Sequence, residues 1–204
     1  MRKSLLLLLL AVAIAVPMQA RGKKQQTSTE PGKYKEWGPD IDEIEILKSF
    51  KLDDYKEIII EPFTSEGVKL PDKDDNSYDS ARRALAESPE YLAGGLNGLL
   101  DQKIYLLDEG DKEPTKSGTL LLRAKVTEMD PGSRAARYWV GFGAGAARTE
   151  IQGELVDAKT GEVLLRFTQQ RRSGVGAYGG DYQELMRRNL NTIGEDVAHM
   201  LREF

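Results

Sequence analysis

The chain has 204 residues with 29 basic and 33 acidic side chains, no cysteine and one histidine, His199. A net charge of −4 leaves no basic excess for generic nucleic-acid binding. Without cysteine there is no disulfide framework and no thiolate metal site, and a lone histidine excludes a multi-histidine zinc site and confines any Ser-His-Asp triad to its own surroundings.

The first residues carry Arg2 and Lys3, an apolar run Leu5–Val16 and then Pro17-Met18-Gln19-Ala20. A positive start, a short apolar run, a helix breaker and a small residue at the cut make a secretion signal over 1–20, cleaved after Ala20. As helix the run rises about 18 Å against roughly 30 Å of bilayer hydrocarbon, so no transmembrane span is expected once the signal is gone. The protein is therefore expected in the periplasm or outside the cell, and a lipid anchor would lack its cysteine. Residues 21–40 are polar and broken by Gly and Pro, which predicts a flexible leader. Its Tyr34 and Trp37 either rest on the domain edge or form a docking peptide. A single domain is expected over 41–204.

Ile44, Ile46 and Leu47 suggest a short strand or turn. The β-branched run around Ile58-Ile59-Ile60, closed by Pro62, reads as a buried strand, and residues 64–77 as loop. Asp79–Glu87 offers a short helical turn, and Ser88-Pro89-Glu90 restarts a helix with proline at its first position. Tyr91, Leu92, Leu96, Leu99 and Leu100 share one face of it. Gly94, Gly95 and Gly98 each cost that helix about 1 kcal/mol against alanine, which points to close backbone packing on a sheet or a neighbouring subunit.

Ile104–Leu107 is a short strand, and Gly118–Glu128 alternates, with Leu122, Ala124 and Val126 on one side. Thr149–Asp157 and Glu162–Gln170 flank Ala158-Lys159-Thr160-Gly161 as a hairpin, with Gly153 marking a bulge or close approach. After a cap at Gly179-Gly180-Asp181, Tyr182, Leu185, Met186, Leu190, Ile193, Val197, Met200 and Leu201 form the apolar stripe of a closing helix. The order β-α-β-β-β-β-α predicts an α+β domain, a largely antiparallel sheet with helices on one face.

Candidate chemistry gathers at Tyr138-Trp139-Val140-Gly141-Phe142-Gly143-Ala144-Gly145-Ala146-Ala147. Gly141-x-Gly143-x-x-Ala146 fits a degenerate dinucleotide fingerprint, but a strand-like stretch follows where that motif needs a helix, so no cofactor is expected. The stretch is either a tight backbone approach between strands or an apolar surface loop anchored by Trp139 and Phe142. Charge is uneven: residues 30–113 carry 22 acidic and 11 basic side chains, residues 114–204 carry 11 and 13. Arg134, Arg137 and Arg148 flank the glycine stretch, with Arg171-Arg172 and Arg187-Arg188 beyond. Guanidinium forks suit phosphate or carboxylate, while a solvated face complementing the acidic half is the plainer reading. Asp53-Asp54, Asp74-Asp75 and Asp108-Glu109 lie in predicted loops, without the apolar pocket that acid–base catalysis needs. Asp72-Lys73-Asp74-Asp75-Asn76 lacks the glycine and distal glutamate of a calcium loop. No catalytic, cofactor or metal residue is nominated, and His199 reads as a boundary residue of the last helix.

These motifs carry a resemblance. Gly132-Ser133-Arg134 with Arg137, Gly141–Gly145, Asp157-Ala158-Lys159-Thr160-Gly161-Glu162-Val163 and Gly179-Gly180 before an amphipathic helix resemble a bacterial exported family, the domain of unknown function 4410, from Asp130 to the end. The resemblance implies no agreed activity and no catalytic residues. It implies an element order like that of periplasmic domains of the curli secretion channel and related envelope assembly factors. Many such proteins are lipoproteins, and the missing cysteine sets this chain apart from them. The expectation is a non-enzymatic, exported cell-envelope module that contacts an envelope protein or further copies of itself. The alternative is a small-ligand or lipid-headgroup binder using the glycine stretch and its arginines. Candidate interaction residues are Trp139, Phe142, Arg134, Arg137 and Arg148.

Overall fold

The computed structural model describes residues 27–64, 66–68, 70–130, 146–173 and 182–204. Within them lie β1 (Gly32–Trp37), β2 (Ile41–Ile46), a 3-10 turn (Leu52–Asp54), β3 (Glu57–Ile60), α1 (Tyr78–Ala86), α2 (Ser88–Leu96), β4 (Lys103–Leu106), β5 (Thr119–Asp130), β6 (Ala147–Asp157), β7 (Val163–Ser173) and α3 (Tyr182–Leu201). The strands make one sheet in the order β1-β2-β7-β6-β5-β3-β4. Neighbours pair antiparallel except around β3, which runs parallel to both β4 and β5. That parallel pairing requires a crossover, and α1 with α2 supplies it between β3 and β4.

Strand alternation sends one set of side chains to the helices: Ile44 and Ile46, Ile58 and Ile60, Leu120 and Leu122, Ile151 and Leu155, Leu165 and Phe167. Ala81, Ala84, Leu92, Leu96, Met186, Leu190, Ile193 and Val197 from the three helices join the same core. The domain is thus α+β, mostly antiparallel, with its helices on one face, as the sequence pattern predicts. The four strands β4 to β7 followed by α3 match the expected order, while the amino-terminal half holds more strands than expected.

The leader expectation fails over Gly32–Trp37. These residues form β1 and pair with β2 from Gly32↔Ile46 to Trp37↔Ile41, so the domain begins before residue 41. Lys33 meets Glu45 at 3.0 Å and Lys35 meets Glu43 at 2.9 Å, so partners from the next strand hold a stretch that reads as polar linker on its own. Trp37 is only 1% exposed and belongs to the core rather than its edge. Its Nε1 donates to the Ser28 carbonyl at 2.9 Å, and its ring stacks on Phe204 with centroids 6.0 Å apart.

The helix glycines have a specific cause. A Cβ on Gly95 would sit 2.0 Å from the carbonyl oxygen of Asn191, and one on Gly194 would sit 2.3 Å from that of Leu92. Backbone packing is therefore against α3, not against the sheet. Gly153 makes room for the Phe167 ring, which a Cβ there would meet at 2.4 Å.

Candidate interaction surface

The three helices among the described residues lie on one side of the sheet, and no described helix covers its other face. Its side chains form rows running across the strands. One row alternates in sign from end to end: Lys33, Glu45, Arg166, Glu154, Arg123 and Glu61. Successive members meet at 3.0, 3.8, 3.4, 3.6 and 2.9 Å. From Lys33 to Arg123 each neighbour sits directly opposite on the next strand, so the register itself builds the row, and Glu61 extends it one residue beyond β3. Two residues further along the strands a second row holds Lys35, Glu43, Thr168, Gln152 and Lys125. Between the rows runs an open trough of about 640 Å³.

Glu113, from the β4–β5 connection, joins Arg123 at 2.7 Å, and Lys116 joins Glu57 at 3.1 Å, so that connection crosses one end of the face. Burial works against the charge of Arg123, yet Glu61 and Glu113 outweigh it and hold the guanidinium protonated. Burial also pushes the Glu61 carboxyl up, opposed by Arg123. Further along, Glu128 and Glu150 sit opposite each other, bridged by the Gln170 amide at 3.0 and 3.4 Å. This pair is half-exposed on the open face, not held in an apolar pocket.

A second polar group is buried where α3 meets the sheet. Asp196 is 3% exposed, takes both prongs of the Arg171 guanidinium and accepts from Gln169 Nε2 at 2.7 Å. Arg171 also reaches Asp40 at 3.0 Å, and His199 Nδ1 stands 3.7 Å from the same carboxylate. Burial pushes the Asp196 carboxyl up, against the pull of Arg171 and Gln169. A cavity of about 310 Å³ opens beside it, lined by Trp37, Asp40, Asp196, His199 and Arg202 among others. Sequence reasoning missed Asp196. The signal was there: an acid inside the apolar stripe of α3, between Ile193 and Val197.

Trp139, Phe142, Arg134, Arg137 and the run Gly141–Gly145 lie outside the described residues, as does the cap at 179–181. Arg148 is described: it is exposed on β6, in register between Asp130 and Arg172. The other arginines singled out are engaged within the domain, Arg171 by Asp196 and Asp40, Arg172 by Gln170, and Arg187 and Arg188 by Glu184. β6, a strand, follows the glycine stretch where a dinucleotide fold requires a helix. Among the described residues no three metal-ligating side chains come together, and no helix is long and apolar enough to cross a membrane. In the stretch Asp72–Asn76, Asp75 accepts from Ser77 N at 2.7 Å and so closes a local turn just before α1.

The family model for the domain of unknown function DUF4410 matches residues 58–177. That is more than half of the sequence, and the chain belongs to this family. The match takes in β3 to β7 and leaves out α3, whereas the likeness read from the motifs ran from Asp130 to the end. No curated protein matches. Among solved structures, a PelC dodecamer subunit from Paraburkholderia phytofirmans is similar at 12% identity and a TM-score of 0.45, covering 74% of this chain and 96% of that one. The hypothetical protein CT253 from Chlamydia trachomatis is similar at 11% identity and 0.45, covering 72% and 98%. The lipoprotein GNA1162 from Neisseria meningitidis is similar at 15% and 0.35, covering 70% and 99%.

Proposed function

We propose that this DUF4410 member is an exported, non-enzymatic module of the cell envelope that holds another protein against the open face of its sheet. The observation that carries the reading is the trough between the two charged rows. A lipid-headgroup layer or a polyanion calls for one sign of charge, whereas one wall alternates cation and anion and the other mixes charged and neutral polar groups, which suits the mixed polar surface of a folded protein. The acids and bases of the alternating row are paired with one another, Glu61 with Arg123 included, which argues against a free general base or nucleophile among them. Export rests on the amino-terminal signal pattern.

A photo-crosslinking residue placed at Thr168, in the middle of the open face, tests the contact in the native host. Thr168 is expected to give a covalent adduct with a protein, and Arg188, exposed on α3, is expected to give none. Absence of adducts from Thr168, Gln152 and Lys125 alike overturns the reading. Intact mass of the protein in envelope or culture fractions should start at Arg21; a cytoplasmic form retaining residues 1–20 removes the export half.

A further inference from the structure

The sheet has two ends, and they differ in kind. β1 carries Lys33 and Lys35, whose side chains are 80% and 83% exposed, and lysines on an edge discourage further pairing. β4, at the other end, is the sequence Lys-Ile-Tyr-Leu. Tyr105 and Leu106 are 47% and 42% exposed, two of the three large apolar side chains exposed among the described residues. No described strand pairs with its outer side.

The backbone of β4 is oriented by its inner partner. Lys103 N donates to Lys56 O at 3.0 Å and Leu107 N to Ile60 O at 2.9 Å. Strand alternation turns the amide of Tyr105 inward with them and leaves the N–H and C=O of Ile104 and Leu106 pointing out. Tyr105 lies beside Ile59 on the open face, while Ile104 and Leu106 lie beside Ile58 and Ile60 on the helix face. Ile104 already packs against the core there.

We propose that the β4 edge seats β4 of a second copy, antiparallel, about a two-fold axis through Tyr105. The register follows from the free groups. In an antiparallel ladder, outward-pointing residues must exchange hydrogen bonds with outward-pointing residues. Within Lys103–Leu106 only the register centred on Tyr105 gives both outward residues a partner: Ile104 faces Leu106 of the second copy, and Leu106 faces its Ile104, giving four backbone bonds. Tyr105 faces Tyr105 as the intervening non-hydrogen-bonded pair, with Cα atoms about 4.5 Å apart. Each exposed apolar side chain gains an apolar partner, aromatic on aromatic on one face and aliphatic on aliphatic on the other. Each Lys103 comes opposite Leu107 of the other copy, so its methylene stem lies along an apolar side chain. This complementarity of the strand with itself selects a second copy over an unrelated strand. The contact is isologous and short, so it forms reversibly with concentration. It uses the edge and not the trough, and it stands or falls apart from the open-face reading.

The chain contains no cysteine, so a single introduced thiol reports on its own position. In the protein purified from its host, Tyr105→Cys under mild oxidation is expected to form a disulfide-linked dimer. Leu106→Cys, which would face Ile104 rather than itself, should form at least tenfold less. Sedimentation equilibrium over a hundredfold concentration range should show a monomer–dimer equilibrium. Leu106→Pro removes only an outward N–H, so it should shift the equilibrium to monomer with the circular dichroism unchanged. A chain that stays monomeric throughout, a thiol at 106 that cross-links as readily as one at 105, or a dimer that survives Leu106→Pro each overturns the proposal. If Leu106→Pro fails to fold, the two cysteine variants decide by themselves.

Discussion

Gly95→Ala is the perturbation that probes the helix layer most directly. At an ordinary helix position the change gains about 1 kcal/mol. Here the new methyl would lie 2.0 Å from the Asn191 carbonyl oxygen and 2.8 Å from the Glu195 nitrogen. Both are backbone atoms, so no rotamer change relieves them. Restoring an ordinary contact requires α2 and α3 to separate by about 1 Å. A gap of that size forfeits a quarter to a half of each dispersion contact across the seam. The seam includes Leu92, Leu96, Leu190, Ile193 and Val197, all fully buried. Overpacking costs about 1–3 kcal/mol, and a backbone clash belongs at the top of that range, so a net loss of about 2 kcal/mol remains after the gain in helix propensity. Thermal melting should fall by about 4–8 °C for a domain of this size. Gly94→Ala is the control, because its methyl would meet only the end of the Asn191 side chain, at 3.0 Å, and no backbone atom of α3. It should melt at or above the parent. A Gly95→Ala variant as stable as Gly94→Ala would mean that the two helices do not cross as closely as described.

Three further substitutions test other parts of the argument. Trp37→Ala should cost about 3–5 kcal/mol by chemical denaturation, as a core truncation does, whereas a tryptophan in a loose leader would be silent. Ile193→Asp places an unpaired charge at a fully buried position, and a cooperative melt matching the parent would show α3 to be peripheral. Tyr55→Phe removes the hydroxyl that donates to Asp157 Oδ2 at 2.8 Å. Burial alone would raise the Asp157 carboxyl, but the Thr160 amide and the Tyr55 hydroxyl hold it below its ordinary value. Stabilisation from a lowered carboxylate is present above its unfolded value near about pH 4 and fades as pH falls through the folded one. The variant should therefore lose about 1–2 kcal/mol at neutral pH, and the gap should close in acid; a pH-independent gap would refute this account of the bond.

What was legible in the sequence had local causes. The stripe from Leu185 to Leu201 specifies α3 because its 3.6-residue period needs no partner to be read. The β6–β7 hairpin is equally local. Asp157 Oδ1 accepts from Lys159 N at 2.9 Å and Thr160 N at 2.8 Å, and Gly161 closes the turn at φ +72°. The cost of Gly94 and Gly95 signalled a close approach, although nothing nearby in sequence says that Gly194 is across from it. β1 escaped notice because half of it is lysine and glutamate, and the partners of its core residue Trp37 include Phe204 at the far end of the chain. The alternating row could not be read at all, since register alone brings Lys33, Arg166 and Arg123 into one line.

The Asp196 group explains why an apparently dispensable amino terminus is part of the domain. An apolar stripe by itself fixes the rotation of α3 only loosely, because Leu, Ile and Met repack at small cost when a helix turns or slides. An acid within that stripe does not. Removing one partner from a buried ion pair costs about 3–5 kcal/mol, so any placement of α3 that parts Asp196 from Arg171 is strongly disfavoured. Replacing the whole pair with apolar groups would cost little, which makes its effect one of placement more than of stability. Arg171 extends that constraint to Asp40, in the turn between β1 and β2, at 3.0 Å. Phe204, three residues beyond α3, completes it by stacking on Trp37. The first hairpin and the last helix therefore hold each other in position, and the strand pairing of β2 with β7 carries the open face out to β1.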